Sequence, residues 1–87
     1  RATILTNMHY AYLLRSLRDA TYYAGATDQS VEARLREHNN NSNKYSSTHA
    51  PFEIAWYCAF PNKQKALLFE KYLKSGSGIA FRNKRLI

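Results

Sequence analysis

Several residue types are scarce in this sequence, and each shortage closes off a class of protein. Cysteine occurs once in 87 residues, as Cys58. One thiol forms no intramolecular disulfide and cannot build a zinc site of several thiolates. It suits a reducing compartment, so the expected location is cytoplasmic. No apolar run is long enough to span a bilayer, and no signal-peptide pattern is present, so no membrane association is expected. Beyond a group of asparagines there is no low-complexity tract and no internal repeat. Glycine is rare, with three in the chain and none in the link Ser16–Ala20, so the turn type there is unreadable.

Acidic residues are the other shortage. Six Asp and Glu stand against thirteen Lys and Arg, a net charge of +7, with an isoelectric point near 9.8. A small domain with that balance attracts polyanions, nucleic acid first and anionic membrane surfaces second. Solubility alone can make a domain basic. Here the cations keep company with aromatic and amide side chains, which favours nucleic acid.

What is present is enough for one domain. The apolar share is 45%, a globular composition, and a chain of this length buries roughly 60–65% of its unfolded surface. The domain is expected over residues 8–87. Residues 1–7 precede the only methionine, Met8, and read as an N-terminal extension or an expression remnant.

Periodicity gives the elements. His9–Arg15 alternates as a strand, with Tyr10, Tyr12 and Leu14 on one side and Ala11 and Leu13 on the other. Thr21–Ala26 is a second strand and completes a hairpin. Whether Tyr12 and Tyr23 share a face depends on register. Thr27 or Asp28 is expected to cap a helix running to about Asn39, with Val31 and Leu35 as its buried stripe. Arg34 and His38 lie four apart at the border of that stripe and share a face. Glu32, Arg36 and Glu37 read as a solvated face. Asn39–Ala50 is a long polar loop.

From Pro51 onward, Phe52, Ile54, Trp56, Cys58 and Phe60 alternate with Glu53, Ala55, Tyr57 and Ala59. The first set is the expected core face, with Cys58 as a core residue. The apolar character of the second set predicts a central strand. A helix over Asn62–Ser75 carries Ala66, Phe69 and Leu73 as its apolar stripe, with Glu70 in the same sector. Gly76 is expected to end it, and Ser77 to cap a last helix, Gly78–Arg85.

The polar residues Tyr12, Tyr23, Arg34, His38, Glu70 and Asn83 suggest a chemistry. A single carboxylate can hold one hard cation that keeps most of its waters and leans on substrate phosphate. Arg34 offers a planar fork for phosphate oxygens. A tyrosine becomes a general base where a nearby cation lowers its pKa. Together these suit phosphodiester hydrolysis.

The same residues carry a family likeness. Tyr10-Ala11-Tyr12, Tyr23-Ala24-Gly25, the Arg34–His38 pair and Glu70 within a later helix occur in the order and spacing of the GIY-YIG nuclease superfamily. Asn83 falls near the end, as in several members. From Met8 to about Leu86 the chain resembles its small single-domain bacterial members. These are similar to the nuclease module of the excision-repair subunit UvrC and to junction nucleases. The glycine and isoleucine of the first motif are absent; Gly25 of the second is retained.

That resemblance implies an α+β, sandwich-like fold, a three-stranded antiparallel sheet flanked by helices. It implies a DNA endonuclease with one Mg²⁺ or Mn²⁺ on Glu70, and DNA repair among its roles. One of Tyr12 and Tyr23 would activate water and the other orient the phosphate. Arg34 would stabilise transition-state charge, and His38 would position the nucleophile or phosphate. Lys44, Tyr45, His49 and Asn83 are the candidates for holding substrate. With no second domain for base reading, single-stranded or branched DNA is the expected partner, with RNA left open. The alternatives are a module that binds nucleic acid without cutting it and a nuclease subunit that needs a partner protein. For Glu70 the plain rival is an exposed helix position paired with Lys74.

Overall fold

The run Ala11-Tyr12-Leu13-Leu14 is apolar without interruption, and a strand built on it must be covered on both faces. The computed structural model, which describes residues 8–40 and 48–87, places it at the centre of the sheet. Strand β1 (His9–Ser16) lies between β2 (Tyr22–Thr27) and β3 (Phe52–Phe60), and both pairings are antiparallel. All four residues of the run are at most 1% exposed. The expected central strand, β3, is therefore an edge strand. Tyr57 and Ala59 on it are exposed, which an interior strand would not allow.

Register settles the tyrosines. Tyr12 lies opposite Gly25 and Leu14 opposite Tyr23, so Tyr12 and Tyr23 share a face. The β1–β2 turn is closed by side chains. Ser16 Oγ accepts from the backbone N–H of Arg18 and Asp19, and Asp19 Oδ1 accepts from Thr21 N–H. Ala20 takes a left-handed backbone, φ 61°, a conformation in which a Cβ is strained.

A bulge in β3 divides the core. Leu13 faces Trp56 but Leu14 faces Ile54, so Ala55 is the extra residue. Before it, Phe52 and Ile54 join Tyr12, Leu14 and Val31 in one cluster. After it, Trp56 joins Leu13, Ala24 and Leu73 in another. The single core face expected for β3 is thus split between the two sides of the sheet. Cys58 is half-buried and outside both clusters.

Helix α1 (Val31–Asn39) covers the first cluster. Its cap is Ser30, whose hydroxyl accepts from Ala33 N–H at 3.1 Å, two to three residues later than expected. Thr27 is engaged otherwise, accepting from Gln29 N–H. At the far end Asn39 acts as a strap: Oδ1 accepts from Phe52 N–H at 2.6 Å and Nδ2 donates to Phe52 C=O at 3.1 Å.

Helix α2 (Lys63–Leu73), capped by Asn62, packs Phe69 and Leu73 on the second cluster. Helix α3 (Gly76–Arg85) folds back on α2. Ser75 rather than Ser77 caps it, and Gly76 opens it instead of ending the helix before. The reason is close approach: a Cβ on Gly78 would overlap the Tyr72 carbonyl oxygen and lie 2.5 Å from its carbon. Among the described residues no helix is long and apolar enough to cross a membrane.

Two glycine exchanges should therefore move stability in opposite directions. Gly78→Ala should lower it by about 1–3 kcal/mol through overpacking. Ala20→Gly should raise it by up to about 1 kcal/mol by relieving the left-handed strain. Urea unfolding at constant m checks both; an unchanged midpoint for Gly78→Ala would contradict the tight helix crossing.

Candidate active site

The site is built outward from Tyr12. Its side chain leaves β1 and lies across β2, over Gly25. Only a residue without Cβ fits beneath it, since a Cβ on Gly25 would lie 2.5 Å from Tyr12 Cζ. Helix α1 lies over the same face and brings Arg34 into hydrogen-bond contact with the phenol. Arg34 Nη1 is also paired with Glu37 Oε1, three residues along the helix. Its Nε is buried with no hydrogen-bond partner among the described residues.

His38 lies one helical turn beyond Arg34 and is 1% exposed. Its ring packs on Tyr23, with centroids 4.7 Å apart, and edge-on to Phe52 at 5.8 Å. Tyr23 is half-buried, and His38 lies between it and Phe52.

Helix α2 supplies the carboxylate. Glu70 has a side chain 21% exposed, and its Oε2 accepts from Lys74 Nζ at 2.8 Å. This is the plain i,i+4 pair, yet it stands close enough to the tyrosines to act on them. The Glu70 charge is felt at Tyr12, and the Tyr23 and Tyr12 phenols act on Lys74. The structure thus brings Tyr12, Tyr23, Arg34, His38 and Glu70 together.

Ionisation follows from this packing. Burial is the main cause that pushes the Tyr12 phenol up, and the hydrogen bond and charge of Arg34 oppose it only in part. Arg34 is held charged, chiefly by its bond to Tyr12. Lys74 is raised by its bond to Glu70. His38 is pushed down by burial first and by the Arg34 charge second, against Glu37.

No cluster of three or more His, Cys, Asp or Glu side chains occurs among the described residues. The donor set for a cation is a single carboxylate of which Lys74 occupies one oxygen. That fits a hydrated hard cation completed by substrate phosphate, and does not fit a cage of protein ligands.

The other candidates lie elsewhere. His49 sits at the opposite end of β1, with Nδ1 2.7 Å from Asp19 Oδ2 and its carbonyl accepting from Ser16 Oγ at 2.5 Å. It ties the segment before β3 to the β1–β2 turn. Asn83 is exposed on α3, and it is the neighbouring Arg82 that reaches the sheet, 5.4 Å over the Tyr22 ring. Lys44 and Tyr45 lie outside the described residues.

Sequence reasoning placed Glu37 on the solvated face. It is half-buried and pairs with Arg34, a contact its i,i+3 spacing could have signalled.

Burial of neutral His38 has a pH signature. Its folded pKa lies below the ordinary 6.5, so between the two values the unfolded chain binds the proton and the folded chain does not. Stability should fall as pH drops below about 6.5, and His38→Gln should flatten the urea midpoint between pH 7 and 5. Equal slopes for the two proteins would contradict a neutral, buried imidazole.

Known proteins resemble this chain. Residues 8–83 match the model of the GIY-YIG catalytic domain. A UPF0213 protein of Bacillus licheniformis is 39% identical over 70 residues, spanning 79% of this chain and 70% of that protein. One from Halalkalibacterium halodurans is 33% identical over 67 residues, spanning 76% and 69%. The solution NMR structure of the UPF0213 protein from Bacillus halodurans matches with a TM-score of 0.53 at 28% identity, covering 91% of this chain and 86% of that one. The family match runs from before the first tyrosine strand to Asn83 in α3, and so takes in the whole site. The chain belongs to the GIY-YIG catalytic domain family.

Proposed function

We propose that the chain is a metal-dependent endonuclease that hydrolyses phosphodiester bonds in single-stranded or structured DNA, without reading base sequence. GIY-YIG domains are nucleases generally, and these act on DNA with a divalent metal. The observation that carries the reading here is the junction of Arg34 with Tyr12 on the face bordered by Tyr23 and Glu70. One guanidinium, one carboxylate and two phenols around one spot suit a phosphate under attack by water.

Each residue takes a role from its surroundings. Arg34 neutralises the non-bridging phosphate oxygens, exchanging its contact with Glu37 for the substrate. Tyr12, whose burial keeps it a phenol, donates a hydrogen bond and orients the phosphate. The proton of the attacking water goes to a Tyr23 phenolate, formed beforehand by loss of the phenol proton to solvent. His38, whose ring packs on Tyr23 with centroids 4.7 Å apart, is a positioning residue for that ring. Glu70 would hold Mg²⁺ or Mn²⁺, which when bound polarises the phosphate and acidifies water. Asn83, exposed on α3, would contact the substrate backbone.

One observation favours a second reading, a nuclease subunit completed by a partner protein. Ile79, Phe81 and Ile87 leave 37–43% of their surface exposed near the C-terminal end.

The deciding assay cuts labelled single-stranded, duplex and branched DNA in Mg²⁺, Mn²⁺ or EDTA. Glu70→Ala and Arg34→Ala should each lower kcat by roughly 10²–10³ while binding changes only a few-fold. Tyr23→Phe should lose more activity than Tyr12→Phe; the reverse order would make Tyr12 the base. Near wild-type cutting by Glu70→Ala would remove the metal role. A wild type that binds but never cuts would support the partner-dependent reading.

A further inference from the structure

We infer that a cleft beside Arg34 holds a second backbone phosphate of the substrate strand, gripped by Lys63 and His9. The inference rests on the nuclease reading and extends it to two residues outside the family-like motifs. The cleft measures about 280 Å³, just under the roughly 300–1,000 Å³ of pockets that enclose a small molecule. A space of that size suits one segment of a chain that continues past it.

Its walls come from four elements. Ala26 of β2 and Ala66 of α2 have short side chains that leave the space open. His9 at the start of β1, Arg34 of α1 and Lys63 at the start of α2 bring three nitrogen-bearing side chains to it. One carboxylate, Asp28, stands against Arg34 and Lys63, so the lining keeps a positive balance. Leu67, 43% exposed on the same wall, offers an apolar surface for a sugar.

The position of Lys63 is the telling feature. It is the first residue of α2, and that first turn carries no acidic side chain. A cation there opposes the helix dipole. Helix α1 follows the rule, with Glu32 in its first turn. Sequences break such local rules mainly at functional positions. Arg34 links the cleft to the site: the same guanidinium bonds Tyr12 and lines the cleft. A strand whose scissile phosphate meets Arg34 therefore presents its next phosphate to Lys63.

The test is binding of the whole chain to a fluorescent single-stranded oligonucleotide, by anisotropy in EDTA from 50 to 200 mM salt. Lys63→Gln should weaken binding several-fold and reduce the salt slope by roughly 0.7, the share of one phosphate contact on a single strand. Lys63→Arg should restore both, and His9→Gln should weaken binding less. Arg36→Gln removes an exposed charge of α1 away from the cleft and should leave the slope unchanged. Equal effects of Lys63→Gln and Arg36→Gln, or no binding by the wild type, would overturn the inference. In the cleavage assay Lys63→Gln should raise KM with kcat kept within two-fold. Because the binding arms need no cutting, a protein that binds but never cleaves on its own counts against a self-sufficient nuclease while leaving the Lys63 comparison decisive.

Discussion

The phenol of Tyr12, laid across Gly25 and bonded to Arg34, is the contact on which the rest of the structure depends. It needs three conditions at once. The β1–β2 register must place Tyr12 opposite a residue with no Cβ. Helix α1 must lie on that face, held by the Asn39 strap to Phe52. Strand β1 must be central, so that its other face is sealed by Leu13, Ala24 and Leu73. A shift of one residue in β1 would turn Tyr12 away from Arg34 and expose Leu13 in its place.

Around that rigid centre the charged groups are held loosely. Arg34 is paired with Glu37, and Glu70 with Lys74, and each pair has at least one partner more than 40% exposed. Exposed pairs of this kind are worth about 0–1 kcal/mol. That is small, so either partner can be exchanged without unfolding anything, as the proposed function requires. The ion pairs orient Arg34 and Glu70, and Phe52, His38 and Tyr23 pack together beside them.

Much of this was legible residue by residue. The three strands and three helices follow from periodicity and from short polar side chains at helix starts, because each depends on a few neighbouring residues. Where the reading failed, something distant or unusual had intervened. The β1–β2 turn has no glycine, because Ala20 takes the left-handed conformation that glycine normally marks, while Ser16 and Asp19 close the turn. Ser75 shifts the start of α3, so Gly76, expected as a helix stop, opens the helix, and Gly78 is needed against the Tyr72 carbonyl. The apolar run Ala11–Leu14 did signal a central strand, but it competed with a longer alternating run in β3.

By itself the sequence determined the elements, the positive charge, and which side chains were available: two tyrosines on paired strands, an arginine and histidine one turn apart, a carboxylate in a later helix. These are local properties, set by side-chain period and composition. The tertiary structure alone decided that Ala55 bulges and divides the core and that Tyr12 and Tyr23 share a face, and it settled β1 rather than β3 as the central strand. Those features depend on burial between segments far apart in the chain. Apolar surface can be hidden in several registers that look alike in sequence, and only the packing of the whole selects one.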